Sequence, residues 1–172
     1  MIELFNWIES LGFSVWVRES VSLWAYPGML SFHTIGLGFV VGISAAFDLR
    51  ILGVASGLPL PPMRKLFPVM WAGFWLNALS GLALLMAYAT KMLTNPIFVI
   101  KLVLIALAVA NVLMLNKRVF ADAARAEEAA ASKNVKILAA TSLALWGLVI
   151  LAGRFVAYID IVTAFFGGGE GG

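Results

Sequence analysis

The amino-acid sequence predicts an all-α protein: a four-helix transmembrane bundle with an amphipathic helix at the membrane interface before it. Of its 172 residues, 62% are hydrophobic and 12% are charged, against about 45–50% and 25% in soluble domains. A soluble protein of this size cannot bury so much apolar surface in one core. The apolar residues also gather into four stretches of roughly 20 residues, the length that crosses a bilayer.

The four predicted spans form one domain, residues 21–160, and cover residues 27–47, 66–89, 96–115 and 137–158. Residues 57–62 contain three prolines and separate the first two spans, because proline disfavours a continuing helix. Pro96 suits the first turn of the third span, where a missing N–H costs nothing. Residues 161–172 are predicted to form a flexible, glycine-rich tail.

The N-terminal segment, residues 1–20, precedes the first span and holds the predicted interfacial helix over residues 2–12. Its apolar and polar residues separate onto opposite sides of a helical wheel, as in a helix that lies in the headgroup plane. The apolar side carries Leu4, Phe5, Trp7, Ile8 and Leu11.

The basic residues predict the orientation. Of the twelve lysines and arginines, eight fall on the side of the two loops that join span one to two and span three to four. The positive-inside rule places such loops in the cytoplasm. The sequence therefore predicts a multi-pass protein of the bacterial inner membrane, in contact with the lipid bilayer, with both termini on the periplasmic side. The N-terminus also lacks the basic start of a cleaved signal peptide, so the first segment is expected to be retained.

Several classes of function are disfavoured by the composition. The chain has no cysteine, which excludes disulfides, iron–sulfur clusters and cysteine nucleophiles. A formal charge of +3 without a run of basic residues argues against nucleic acid as a partner. No nucleophile–histidine–acid set is visible, so we expect no enzymatic activity.

Small residues at four-residue spacing predict close helix packing, since they let two backbones approach in lipid. Such stripes occur on span one, on span two and on span three: Gly38, Gly42, Ala46; Gly73, Asn77, Gly81; Ala106, Ala110. Contacts inside the bundle are the favoured interpretation, and contacts in a homo-oligomer or with a partner subunit are the alternative. Asn77 and Asn111 lie at similar depth on different spans and are predicted to bond one another.

Ionisable residues inside spans are costly and are functional candidates by default. The predicted topology places His33, Lys101 and Arg154 within about two turns of the same, outer membrane face. Tyr88 and Tyr158 fall at similar heights. These five residues form the predicted cofactor-binding site, a pocket open to the outer side, in which His33 and Arg154 are expected to face one another.

Three interpretations of that site stay open. The site can bind haem b or a quinone, because imidazole ligates iron and exchanges protons near neutral pH. A bis-histidine haem within one chain is impossible, because the sequence has a single histidine. It can bind Cu(I) through His33 and Met29, one turn apart, since imidazole and thioether suit that ion. Or it can be purely structural, with the two long basic side chains reaching toward the headgroups.

Several motifs in order along residues 20–158 resemble a bacterial family of small four-helix inner-membrane proteins whose activity is uncharacterised. They are Trp24-x-Tyr26-Pro27, Ser31-x-His33-x-x-Gly36, Asp48-Leu49-Arg50-x-Leu52-Gly53, Asn77-x-x-Ser80-Gly81, Asn95-Pro96-x-Phe98-x-x-Lys101 and Gly153-Arg154-x-x-Ala157-Tyr158. More remotely, the chain is similar to copper-resistance membrane proteins and to cytochrome b561-like bundles. The resemblance implies a four-helix membrane protein without naming a reaction.

Taken together, these observations predict a non-catalytic membrane protein that binds a cofactor or serves as an accessory subunit of a membrane electron-transfer system. The alternatives are a copper-handling membrane protein and a purely structural subunit of a larger membrane complex.

Overall fold

The computed structural model describes residues 2–54, 56–122 and 125–167, and this part of the chain is helical without a strand. The helices are α1 (Ile2–Ser10), α2 (Gly12–Glu19), α3 (Tyr26–Leu52), α4 (Leu60–Met63), α5 (Phe67–Ala87), α6 (Ala89–Leu93), α7 (Pro96–Val119), α8 (Ala126–Ala131) and α9 (Lys133–Gly167). A 3₁₀ turn, Arg64–Leu66, joins α4 to α5.

Four segments are long and apolar enough to cross a bilayer: Tyr26–Leu52, Leu60–Ala87, Pro96–Val119 and Lys133–Val156. Only 17–33% of the most apolar window of each is buried inside the bundle. Most of their apolar side chains therefore face outward, where hydrocarbon and not water must surround them. The predicted all-α, four-span fold is confirmed, and the chain is a multi-pass membrane protein.

The span boundaries differ from the predicted ones at several ends. Helix α3 continues to Leu52, five residues past the predicted end, because it stops at Gly53 in the left-handed conformation (φ 96°), which glycine adopts without strain. Helix α5 ends at Ala87, since Tyr88 leaves helical geometry (φ −136°, ψ 42°). Helix α9 continues through Gly167, so residues 161–167 of the predicted tail are helical, and residues 168–172 lie outside the described residues.

The main helices pack in the order α5, α3, α9, α7, with the closest pairs α3–α5 and α7–α9. Helices α5 and α7 approach one another less closely. We call the end at Tyr26, Ala87 and Pro96 the His33 end of the bundle. The opposite end, at Leu52 and Lys133, is the Asp48 end.

Helices α1 and α2 pack across the His33 end. The Glu9 carboxylate accepts a hydrogen bond from the Thr90 backbone N–H at 2.6 Å, and Thr90 Oγ1 donates to Asn6 Oδ1 at 3.2 Å. Leu4 and Trp7 are more than half exposed on the other side of α1. The segment is thus tied to the bundle by its polar residues and presents apolar ones outward, as expected of a helix at the interface.

At the Asp48 end, Arg50 ties two loops together. Its guanidinium donates to the Leu58 carbonyl and, at 2.9 Å, to the Glu127 carboxylate. Glu127 also accepts the backbone N–H of Leu60 at 2.9 Å. The chain turns after Val119, where α7 ends, and returns as α8, which positions Glu127 against the first loop.

Candidate functional site

The centre of the His33 end is a reciprocal pair of hydrogen bonds between α3 and α5. His33 Nδ1 lies 2.9 Å from the Asn77 carbonyl oxygen, and Asn77 Nδ2 donates to the His33 carbonyl at 2.7 Å. Because a carbonyl can only accept, Nδ1 must carry a hydrogen. In the neutral imidazole this leaves Nε2 as an unprotonated acceptor or ligand atom.

Glycines provide the space for this pair. A Cβ at Gly81 would lie 2.8 Å from His33 Cε1. One Cβ at Gly36 would lie 2.6 Å from the Asn77 backbone nitrogen and 2.7 Å from the Gly73 carbonyl oxygen. The predicted packing role of the Gly73–Asn77–Gly81 stripe is therefore confirmed, since all three residues face α3.

The small residues on span one do not pack against another helix of the bundle. Nothing lies within 4 Å of a Cβ built at Gly38 or at Gly42, and both residues are exposed, as is Ala46. The interpretation as packing inside the bundle is wrong for this stripe, because the face of α3 that meets α5 is set by Gly36 and Val40 instead.

Lys101 joins the site from α7. Its side chain is partly buried, and its Nζ and Cε lie 3.8 Å from the position of a Cβ at Gly153 on α9. It lies at the same end of the bundle as His33. No carboxylate pairs with Lys101 among the described residues. Residues of all four long helices therefore meet in two contacts at this end, with Gly81 beside His33 and Gly153 beside Lys101.

The structure does not bring Arg154 to His33. The α9 residue beside Lys101 is Gly153, while the Arg154 side chain is exposed and forms no hydrogen bond or ion pair within the described parts of the chain. Tyr158 is 50% exposed. Adjacent positions on a helix point about 100° apart, and Gly153 is the position directed at Lys101.

The remaining predicted site residues lie nearby. Tyr88 packs edge-to-face on Tyr26, with ring centroids 5.9 Å apart, where α5 ends. Met29 is partly buried one turn before His33 on the same helix.

The predicted Asn77–Asn111 bond is not formed. Asn77 uses its amide for His33, and the buried Oδ1 of Asn111 has no hydrogen-bond partner. Asn77 turns toward α3 because α5 packs most extensively on that helix.

A second polar cluster, at the Asp48 end, was missed by the sequence reasoning. Asp48 and Ser142 are fully buried, and Ser44 is 4% exposed. Ser44 Oγ lies 3.4 Å from Asp48 Oδ2 and 3.3 Å from Ser142 Oγ. Trp146 Nε1 donates a hydrogen bond to Ser44 Oγ at 3.0 Å. The sequence feature that could have revealed this cluster is the i, i+4 spacing of Ser44 and Asp48 within a helix that ends only at Gly53.

Comparison with models of protein families, with curated proteins and with solved structures gives no match for this chain. The resemblance to the four-helix inner-membrane family therefore stays a prediction, and the function must be argued from the sites themselves.

Proposed function

We propose that this protein is a non-catalytic subunit of a membrane electron-transfer system that binds a quinone at the His33 end. The observation that carries the proposal is the partly buried Lys101 side chain, which lies beside Gly153 of α9 at the same end of the bundle as His33 and has no carboxylate partner in the described part of the chain. An unpaired ammonium inside a membrane protein is costly unless an acceptor group reaches it.

A quinone headgroup supplies the hydrogen-bond partners that Lys101 and His33 Nε2 lack. Its carbonyl oxygens accept hydrogen bonds, which the Lys101 ammonium can donate, and the hydroxyl of the reduced form can donate to His33 Nε2. Because Nδ1 is held by the Asn77 carbonyl at 2.9 Å, the imidazole is oriented before the ligand arrives.

Haem fits the described residues less well. Two axial ligands approach iron from opposite sides of the macrocycle, whereas Met29 and His33 lie one turn apart on the same side of α3. Copper(I) does not require ligands on opposite sides, so it is the second ligand that binding experiments at the His33 end should include.

The subunit role is supported by the outward face of α3. Gly38 and Gly42 are open to the surroundings, and small residues on a lipid-facing surface allow another transmembrane helix to pack closely. The helix that packs there can belong to a second copy of this chain or to a different membrane subunit.

Lys101→Met should weaken quinone binding by roughly 10- to 100-fold, because a charge-assisted hydrogen bond of about 1.5–3 kcal/mol is lost. Binding is measured by tryptophan fluorescence quenching as a quinone with a short tail is titrated into the purified protein.

Arg154→Met is the matched control, since it removes a basic side chain at the same end that does not reach His33. It should bind quinone like the parent protein. Equal binding by the two variants, or no saturable quenching in the parent, would contradict the quinone site. Saturable binding of Cu(I) that requires both His33 and Met29 would favour copper instead.

We further propose that the Asp48 end faces the cytoplasm of a bacterial inner membrane, on the basis of the basic residues in its loops. A tag at either terminus should then be labelled by an impermeant reagent added to intact spheroplasts. A tag inserted near Ala130 should be labelled only after lysis. The reverse accessibility at any of these three points would contradict the orientation.

A further inference from the structure

Two basic residues meet where the start of α5 touches the end of α7, at the Asp48 end of the bundle. The Phe67 ring at the start of α5 packs edge-to-face on the Phe120 ring, which directly follows α7, with the ring centroids 6.0 Å apart. Arg64 lies about one turn before Phe67, and Lys117 lies about one turn before Phe120. The two helix ends therefore bring Arg64 and Lys117 to one junction.

The protein itself does not balance the charge of this junction. Arg64 and Lys117 are exposed, and neither forms an ion pair within the part of the chain that the structure describes. The carboxylates of Glu127 and Asp122, at the same end, already pair with other arginines. Basic side chains at the edge of a bilayer that have no acidic partner attract anionic lipid.

An aromatic ring holds the Arg64 guanidinium at the junction. Its Cζ lies 5.9 Å from the centroid of the Phe120 ring, within the distance of a cation–π contact. Such a contact engages the charge and leaves the N–H groups as hydrogen-bond donors. Because the planar guanidinium binds two phosphate oxygens at once, Arg64 is suited to hold one phosphate group, with Lys117 as a second positive charge.

The seam between α5 and α7 is apolar below these basic residues. Trp71, Phe74 and Val109 line one small cavity whose lining is entirely apolar, and all three side chains are partly exposed. Trp71 follows Arg64 by seven residues and Val109 precedes Lys117 by eight, which corresponds to about 10–12 Å along each helix. The headgroup layer is roughly 5–8 Å thick on each side of a bilayer, so these apolar side chains lie at the depth of the acyl chains.

We propose that the junction of α5 and α7 binds one anionic phospholipid from the leaflet at the Asp48 end. Arg64 and Lys117 bind its phosphate, and the apolar side chains of the seam contact its acyl chain. A soluble phosphate compound has no part that uses the seam, and a zwitterionic lipid carries its own ammonium, which the two basic residues repel. The lipid site does not depend on the proposed quinone site, because that site lies at the opposite end of the bundle.

The test is native mass spectrometry of the purified protein titrated with phosphatidylglycerol and, separately, with phosphatidylcholine of the same acyl chains. The parent should retain one phosphatidylglycerol in preference to phosphatidylcholine. Arg64→Met combined with Lys117→Met should weaken phosphatidylglycerol binding by roughly 5- to 30-fold, given the contribution of each basic residue near an anionic headgroup. The same double variant should bind phosphatidylcholine like the parent.

Lys133→Met combined with Lys136→Met is the matched control. It removes the same charge from exposed positions at the same end, but from α9, and it should bind phosphatidylglycerol like the parent. An equal loss in the two double variants would overturn the proposal, because the attraction would then be spread over all basic residues of this end. Equal retention of the two lipids by the parent would overturn it even if a variant fails to fold.

A second measurement tests the apolar seam. Phosphatidylglycerol that carries bromine atoms in its acyl chains should quench the fluorescence of Trp71, seen as the difference in quenching between the parent and Trp71→Phe. That difference should shrink when Arg64 and Lys117 are both replaced by methionine, and brominated phosphatidylcholine should show less of it. Quenching that is the same for the two lipids, or displacement of phosphatidylglycerol by an equal concentration of soluble glycerol phosphate, would contradict a lipid site at this seam.

Discussion

Gly36→Ala should destabilise the protein more than alanine at Gly38 or Gly42 of the same helix, by about 1–3 kcal/mol. A methyl group at this position would lie 2.6 Å from the Asn77 nitrogen and 2.7 Å from the Gly73 oxygen. Both of these atoms belong to the backbone of α5, so the strain cannot be relieved by a side-chain rotation. The helices must separate, which also breaks the His33–Asn77 hydrogen bonds. The measurement is the melting temperature and folded yield in detergent.

Gly38→Ala is the control for that experiment. Gly38 lies two residues further along the same helix, and a Cβ there meets nothing within 4 Å. The substitution therefore changes helix propensity as much as Gly36→Ala does but leaves the packing unchanged. It should melt at or slightly above the temperature of the parent protein. If the two variants melt alike, the α3–α5 interface described above is wrong.

Arg50→Met should lower the stability by about 1–3 kcal/mol. The substitution keeps most of the apolar stem but removes the donors to the Leu58 carbonyl and to Glu127. The Arg50 side chain is only 11% exposed, so water cannot fully replace the lost bonds on that side. Limited proteolysis of the loop before α4, together with the melting temperature, measures the effect.

Arg125→Met provides the comparison. The Arg125 side chain is 77% exposed and lies 3.9 Å from the Asp122 carboxylate, and exposed ion pairs contribute little. It should leave both readouts within error of the parent. Equal sensitivity of the two variants to protease would mean that Arg50 does not hold the loops.

The number of spans could be predicted from the sequence because the bilayer sets their length and polarity independently of tertiary contacts. The helix ends could not be predicted as well. The end of α3 depends on a left-handed glycine, Gly53, and hydropathy alone places the boundary before Asp48. That error of five residues is why the buried Asp48 cluster was missed, since Asp48 falls just outside the predicted span.

The candidate site was predicted in part. His33 and Lys101 were expected at one end of the bundle, and the helices α3 and α7 that carry them place both residues at that end. Arg154 was expected beside them, but a shift of one residue turns a helical side chain by about 100°, and Gly153 takes the inward position. The partner of Asn77 also depends on which helices touch, and hydropathy contains no information on that order.

The most direct test of the quinone site is photochemical labelling with an azido-quinone in native membranes, followed by mass spectrometric mapping of the adducts. Adducts are expected near His33 on α3 and near Lys101 on α7, and excess unmodified quinone should prevent them. They should be lost in Lys101→Met and retained in Arg154→Met. Adducts spread over the lipid-facing surfaces, without competition by unmodified quinone, would contradict the account.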